Sequence, residues 1–140
     1  MTTLRPVVAL LVLLFAQAKP TGTLVVRVTG IGSEKAAVRI ALFNFEQTWL
    51  NDAVAMNKTV LEGETPEREW RVENLPSGEY GVAVFLDKNR DGKLNRNFLG
   101  IPREPYGFSN NARRAVGPAY WKDAKFAVAA EEKVIAIEVK

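Results

Sequence analysis

The chain has 140 residues, of which 47% are hydrophobic and 25% charged, with 19 Lys and Arg against 16 Asp and Glu. This size and apolar content indicate one globular domain and exclude a disordered chain. The sequence contains neither Cys nor His, which excludes disulfides, thiolate or histidine catalysis, and metal sites other than oxygen-ligated ones for hard cations.

The first 18 residues resemble a secretory signal peptide. Arg5 gives a positively charged start, Val7 to Phe15 form an apolar run, and small residues lead up to Ala18. The run is too short for a membrane span, which needs about 20 residues. We therefore expect cleavage after Ala18 and a mature domain over residues 19–140 without a transmembrane segment. Export without disulfides is ordinary for bacteria, so we expect a periplasmic or extracellular location.

Alternation of apolar and polar residues predicts about seven strands. They are Thr23–Val28, Ala36–Phe45, Thr59–Leu61, Trp70–Val72, Glu79–Leu86, Phe126–Ala129 and Val134–Val139. Helical spacing occurs only from Glu46 to Met56, where we expect one short helix or an irregular loop. The set favours an all-β fold, a two-sheet antiparallel β-sandwich of the immunoglobulin-like or transthyretin-like kind, with a closed barrel as the alternative.

The segment Leu75 to Tyr80 predicts a tight entry into the fifth strand. Leu75 is expected to fill a core edge, Pro76 to fix one dihedral angle, Gly78 to supply backbone freedom, and Tyr80 to point inward. This Leu-Pro-x-Gly-x-Tyr pattern resembles sandwich domains of the transthyretin and collagen-adhesin B-repeat kind. The motif is structural and carries no chemistry.

The nine residues after the fifth strand resemble the start of an EF-hand calcium loop. Side-chain oxygens recur at every second position, a glycine follows at the sixth, and a backbone carbonyl is available at the seventh. Alternate residues of a curled loop point inward and can surround one hard cation. The candidate Ca²⁺ ligands are Asp87, Asn89, Asp91 and the carbonyl of Lys93.

The same loop departs from the EF-hand pattern in two ways. Its twelfth position, which should be a bidentate Glu, is Phe98, and basic residues outnumber acidic ones by two over residues 87–97. Two interpretations are therefore open. One is a weak Ca²⁺ site; the other is a hairpin connection in which Asp and Asn side chains bond their own backbone and Gly92 takes a positive φ.

Residues 98–121 show no strand pattern and are dense in Gly, Pro and Asn, which predicts one long loop region over residues 87–121. Its aromatic residues are expected to anchor the loop onto the sandwich; they are Phe98, Tyr106, Phe108, Tyr120 and Trp121. From Asp87 to Lys122 there are eight basic and three acidic residues. If these loops gather at one end of the sandwich, that end is positively charged and suits an anionic or sugar-like partner. The alternative is a solubilising surface with Arg guanidinium groups stacked on loop aromatics.

The candidate binding residues in this region combine basic, aromatic and amide side chains. They are Arg103, Glu104, Tyr106, Phe108, Asn110, Asn111, Arg113 and Arg114. The expected partner is an envelope glycan, an anionic polymer or an envelope protein. Removal of the signal leaves a net charge of only +2, and we expect no nucleic-acid partner.

Three segments together carry a family resemblance: Leu75–Tyr80, Asp87–Leu94 and Gly100–Asn111. Their order and spacing are similar to those of a bacterial family of small exported proteins known as domain of unknown function 2141. The resemblance implies export and a β-sandwich, and it implies no activity.

Three functions follow from these observations. The leading prediction is a non-enzymatic binding or accessory module of the cell envelope that uses residues 87–121. The first alternative is a calcium-stabilised structural or adhesion module. The second is a glycan hydrolase that would need two carboxylates from among Asp87, Asp91 and Glu104.

Overall fold

The computed structural model describes residues 17–33 and 35–140. The predicted signal peptide lies almost wholly on residues 1–16, outside this part of the chain. The described residues form eight strands: β1 Thr21–Thr29, β2 Ala37–Phe43, β3 Asn57–Leu61, β4 Arg68–Pro76, β5 Gly78–Asp87, β6 Tyr106–Phe108, β7 Phe126–Val128 and β8 Glu132–Glu138. They also form a one-turn helix, α1 Trp121–Ala124, and 3-10 turns at Glu46–Thr48, Asp52–Val54 and Ser109–Asn111.

The strands build two packed sheets, which confirms the predicted β-sandwich. One sheet has the order β4-β1-β8, and the other has the order β3-β2-β5-β6 with β7 also paired to β5. All pairs are antiparallel except β1 with β8, which run parallel. The expectation of a purely antiparallel sandwich is wrong at this pair. The chain crosses from one sheet to the other between β7 and β8, so no hairpin fixes the direction of β8.

The core lies between the two sheets and follows the alternation seen in the sequence. Every second residue of β1, β2 and β5 points into it; these are Leu24, Val26 and Val28, then Val38, Ile40 and Leu42, then Tyr80, Val82, Val84 and Leu86. Leu75 and Tyr80 are buried as predicted. The left-handed backbone conformation before β5 occurs at Asn74, with φ of 55°, and not at Gly78.

The predicted single loop region is interrupted by a strand that the sequence analysis missed. Tyr106–Phe108 pair with Phe85–Ala83 of β5 as strand β6. A strand this short, with a central glycine, offers no visible alternation. The predicted helical segment 46–56 becomes two 3-10 turns.

Strand β6 divides the loop region into two segments with different positions. Residues 88–105 lie beyond the end of β5, whereas residues 109–125 run back towards the start of β5 and cover the outer face of its sheet, where Trp121 lies against Gly81. The six-residue step from Gly81 to Asp87 corresponds to roughly 20 Å along the strand. The loops therefore do not gather at one end of the sandwich. Phe98 also departs from the prediction, because it anchors nothing and is 94% exposed.

Candidate functional site

Asp87 closes the loop that resembles a calcium site. Its side chain is fully buried, and Oδ2 accepts hydrogen bonds from Arg39 Nε at 2.6 Å and from the Gly92 backbone N–H at 2.8 Å. Gly92 has a φ of 80°, which confirms the predicted positive φ. The buried carboxylate therefore ties the loop to strand β2 through an ion pair.

Asp91 organises the exposed part of this loop. Its Oδ1 accepts from the Lys93 backbone N–H at 2.9 Å, and its Oδ2 accepts from Asn95 Nδ2 at 2.7 Å. Asn89 Oδ1 accepts from the Asp91 backbone N–H at 3.3 Å. The bonds from Asn95 and from the Lys93 backbone hold the pKa of Asp91 below its ordinary value of 3.8. These are the local contacts that the hairpin interpretation predicts.

Glu104 joins the two ends of segment 88–105 from inside. Its side chain is buried; Oε1 accepts from the Lys88 backbone N–H and Oε2 from the Asn95 backbone N–H, each at 3.0 Å. Each oxygen thus satisfies a backbone donor that the irregular loop would otherwise leave unpaired. This carboxylate holds the loop in shape and offers little surface to a ligand.

Two side-chain oxygen atoms of the loop are buried without a hydrogen-bond partner in the described part of the chain. They are Asp87 Oδ1 and Asn95 Oδ1. Unsatisfied buried acceptors are rare, and carboxylate and amide oxygens are the ligands that Ca²⁺ takes. Within residues 17–33 and 35–140 no cluster of three or more Asp, Glu, His or Cys residues could hold a metal. A cation here would therefore depend on amide and carbonyl oxygens besides the carboxylates of Asp87 and Asp91.

Four of the predicted binding residues attach segment 109–125 and strand β6 to the body of the protein. Phe108 is buried and its ring lies 5.8 Å from that of Trp49. Asn110 Nδ2 donates to the carbonyls of Asp123 and Lys125, at 3.1 and 2.9 Å, and Asn111 Oδ1 accepts from the Glu138 N–H at 2.9 Å. Tyr106 is half-buried in β6 beside Phe108, with ring centroids 5.7 Å apart. The exposed members of the predicted set are Arg103, Arg113 and Arg114 together with the two amides.

Segment 109–125 and the first 3-10 turn enclose a shallow cleft on the outer face of the β5 sheet, which we name the Tyr120 cleft. It has a volume of about 420 Å³ and is lined by Glu46, Trp49, Leu50, Arg114, Pro118, Ala119, Tyr120, Trp121 and Lys122. Trp49 and Trp121 meet edge to face with ring centroids 5.6 Å apart. Trp49 Nε1 also donates to the Ala119 carbonyl at 2.9 Å, which fixes the position of this ring.

Two cations lie on the aromatic ring that gives the cleft its name. The Arg114 guanidinium carbon is 3.8 Å from the centroid of Tyr120, and Lys122 Nζ is 5.6 Å from it. Neither cation forms an ion pair with a carboxylate in the described part of the chain. The predicted stacking of arginines on loop aromatics is confirmed here and at Arg113, which lies 4.8 Å from the centroid of Tyr106. Tyr120 nevertheless remains 49% exposed and accessible to a ligand.

Arg114 was among the predicted binding residues, and Tyr120 and Trp121 belong to the predicted loop region, but Trp49 was not expected to join them. Trp49 is 70 residues from Ala119 along the chain, and nothing local shows that they meet. The one usable signal was Gly81 inside a strong strand pattern, because a strand glycine often marks a close approach by another group. A Cβ atom there would lie 2.7 Å from Trp49 and 2.8 Å from Trp121.

The family comparison covers both of these regions. The model of a family described as an uncharacterised protein conserved in bacteria, DUF2141, matches residues 26–136. The chain belongs to the DUF2141 family. The match runs from β1 into β8, so the calcium-like loop and the Tyr120 cleft both lie within the DUF2141 domain.

Other comparisons add no further relative of this DUF2141 protein. No curated protein and no solved structure matches the chain. The likeness to transthyretin and collagen-adhesin domains therefore stays a prediction from one motif. Among the described residues, no helix has the length and apolar character needed to cross a membrane.

Proposed function

We propose that this DUF2141 protein is an exported, non-enzymatic binding module of the bacterial cell envelope that holds an anionic glycan polymer in the Tyr120 cleft. The observation that carries the proposal is the pair of cations, Arg114 and Lys122, placed without carboxylate partners in the described chain on a half-exposed tyrosine ring. The signal-like sequence that ends at Ala18 supports export.

The chemistry of the cleft suits sugar rings that carry acidic groups. Aromatic faces pack against the apolar faces of sugar rings, and Arg pairs with carboxylate or phosphate through two parallel hydrogen bonds. Trp49 is held by its edge-to-face contact with Trp121 and by its hydrogen bond to the Ala119 carbonyl, so these rings are ordered before a ligand arrives. Such preorganisation lowers the entropy cost of binding.

The distribution of carboxylates favours binding over hydrolysis. Glycoside hydrolysis uses two carboxyl groups that flank the scissile bond. Glu46 is the one acidic residue among those lining the cleft. The hydrolase alternative needs two carboxylates from among Asp87, Asp91 and Glu104. Asp87 and Glu104 are buried and accept hydrogen bonds from segment 88–105, which leaves Asp91 alone exposed.

Titration with polygalacturonate tests the proposal, with its methyl-esterified form as the uncharged counterpart of the same polymer. Tryptophan fluorescence reports binding because two Trp residues line the cleft. We expect the acidic polymer to bind and the ester to bind at least about tenfold more weakly. Replacing Arg114 and Lys122 together by Gln should weaken binding by a similar factor, whereas Arg27→Gln on the other sheet should not. The proposal would be refuted if the acidic polymer and its ester bound equally well, or if the double Gln variant bound the acidic polymer as tightly as the wild type.

A calcium-stabilised module is the second candidate, and the two unpartnered oxygens of Asp87 and Asn95 favour it. Asp87, Asn89, Asp91 and Asn95 would supply side-chain oxygens and Lys93 a carbonyl, in a loop whose glycine turn is already formed. The ion pair from Arg39 to Asp87 would compete with the cation, which fits the weak affinity expected from the sequence.

Thermal unfolding with Ca²⁺ and with a chelator tests this candidate. A bound ion raises the melting temperature by an amount that grows with the logarithm of its concentration once this exceeds the Kd, and Asp91→Asn should reduce the rise. Mg²⁺ at the same concentration is the control, because its stricter octahedral geometry fits such a loop poorly. A melting temperature that is the same in calcium and in chelator would eliminate the candidate.

A further inference from the structure

Residues 96–102 form a narrow turn that projects from segment 88–105, and we name it the 96–102 tip. Arg96 and Pro102 form an isolated antiparallel bridge at its base. The Asn97 N–H donates to the Ile101 carbonyl and the Gly100 N–H donates to the Asn97 carbonyl, both at 2.9 Å. These bonds give the tip a defined shape in spite of its distance from the core.

The tip presents large apolar side chains to solvent. Phe98 is 94% exposed, Leu99 67% and Ile101 55%. An isolated exposed apolar residue needs no explanation, but three within four consecutive positions form a patch that marks an interaction site. Exposure of these three side chains to water is therefore unfavourable, and packing within the tip does not remove it.

Several backbone groups of the tip are paired inside the turn. Asn97 Oδ1 accepts from the N–H groups of Leu99, at 2.9 Å, and Ile101, at 3.0 Å, while Arg96 Nη1 donates to the Gly100 carbonyl at 3.1 Å. The N–H groups of Leu99, Gly100 and Ile101 are thus all paired inside the turn. This pairing lowers the cost of placing the turn at an apolar interface. The N–H group of Phe98 and the carbonyls of Phe98 and Leu99 have no partner within the described residues and would stay in contact with head groups and water.

Basic residues lie within and beside the tip along the chain. Lys93, Arg96 and Arg103 are exposed, and none forms an ion pair with a carboxylate in the described part of the chain. Of the nearby acids, Glu104 is buried, whereas Asp91 is exposed and offsets only part of this positive charge. An apolar tip with three exposed cations in or near it along the chain, none of them paired with a carboxylate in the described residues, has the charge complement of an anionic lipid surface.

We propose that the 96–102 tip docks the protein on an anionic phospholipid bilayer. Phe98, Leu99 and Ile101 enter the interface between head groups and acyl chains, and the three cations contact the lipid phosphates. A protein partner is less well matched, because stable protein interfaces bury about 800 Å² on each side and the tip is a narrow projection of seven residues. The proposal is independent of the Tyr120 cleft and of the loop's affinity for calcium.

Co-sedimentation of the mature chain with lipid vesicles tests the docking. We expect binding to vesicles of equal parts phosphatidylcholine and phosphatidylglycerol, weak binding to phosphatidylcholine alone, and loss of affinity as salt is raised. Replacing Phe98 and Leu99 together by Ser should lower binding at least about tenfold. Arg96→Gln and Arg103→Gln should each lower it about fivefold on the anionic vesicles and leave phosphatidylcholine binding unchanged.

A fluorescent variant gives a second, direct measurement. Phe98→Trp should show a blue-shifted emission with anionic vesicles and quenching by brominated acyl chains, as expected for a ring below the head groups. For the replacement of Phe98 and Leu99 by Ser, Val116→Ser is the matched control, because Val116 is 81% exposed but lies outside the tip. The tip variants should keep the wild-type melting temperature and polygalacturonate affinity. The proposal would be overturned if the acyl-chain probes did not quench the emission of the Phe98→Trp variant, or if the double Ser variant bound vesicles as well as the wild type. It would also be overturned if the wild type bound no vesicles and the double Ser variant instead lost contact with an envelope protein.

Discussion

Arg39 of β2 and Asp87 of β5 form an ion pair in which the acid is fully buried and the base is 31% exposed. The pair fixes the end of β5 against its neighbour at the point where segment 88–105 leaves the sheet. Because Oδ2 of Asp87 also accepts the Gly92 N–H, one carboxylate determines both the end of the strand and the first turn of the loop.

Replacement of Asp87 by Ala should therefore destabilise the protein strongly. It removes the acceptor of the Gly92 N–H and leaves Arg39 beside a small cavity, so we expect a loss of about 3 to 5 kcal/mol in unfolding free energy by urea titration. Asp52→Ala is the control, because its pair with Lys58 is exposed and should cost less than about 1 kcal/mol. Similar losses in the two variants would show that the buried pair has no special role.

Gly81→Ala tests the contact between the β5 sheet and the Tyr120 cleft. The added methyl group would lie 2.7 Å from Trp49 and 2.8 Å from Trp121, so the rings must move or the strand must bend. We expect a loss of about 1 to 3 kcal/mol, a shifted tryptophan emission and weaker polygalacturonate binding. Ala136→Gly, at an exposed position of β8 in the other sheet, separates loss of sheet stability from loss of cleft shape. An unchanged emission spectrum for Gly81→Ala would contradict the described packing.

Asp91→Asn tests the hydrogen bonds of the exposed loop through their dependence on pH. The folded state lowers the pKa of Asp91, chiefly through Asn95 and then the Lys93 backbone. A lowered carboxyl pKa stabilises the protein above the unfolded value of about 3.8, and this stability is lost as the pH falls through the folded value.

The wild type should therefore melt above Asp91→Asn at neutral pH, and the difference should vanish in acid. Melting temperatures measured with chelator present, from about pH 7 to about pH 2, give the comparison without a contribution from calcium. A difference that persists at the lowest pH would assign the effect to something other than the charge of Asp91.

Export predicts a mature protein that begins at Lys19. Expression of the full chain in a bacterium, followed by fractionation and N-terminal sequencing, measures this directly. Ala18→Leu should block cleavage because the peptidase requires a small residue before the cut, whereas Gln17→Leu lies between the two inspected positions and should not. A cytoplasmic product that retains Met1 would contradict the prediction.

Local patterning was enough to predict most of the sheet strands. Alternation along residues 23–28, 36–45 and 79–86 placed β1, β2 and β5 within a few residues of their observed bounds. It also predicted correctly that Leu75 and Tyr80 are buried. These features depend on neighbours along the chain, because each strand must turn every second side chain to the same core.

The functional surfaces needed information that a single sequence does not carry. Trp49 and Tyr120 share a cleft because distant segments pack on one face of the β5 sheet. The 94% exposure of Phe98 likewise has no signal in the local pattern, which predicted an anchor on the sandwich.

Composition and short-range pattern thus established an all-β sandwich, excluded chemistry by Cys and His, and identified a loop rich in Asp and Asn. Packing between residues far apart in sequence determines where Arg114, Lys122 and the 96–102 tip lie. Such contacts depend on the free energy of the whole folded chain, and a short stretch of sequence does not contain that information.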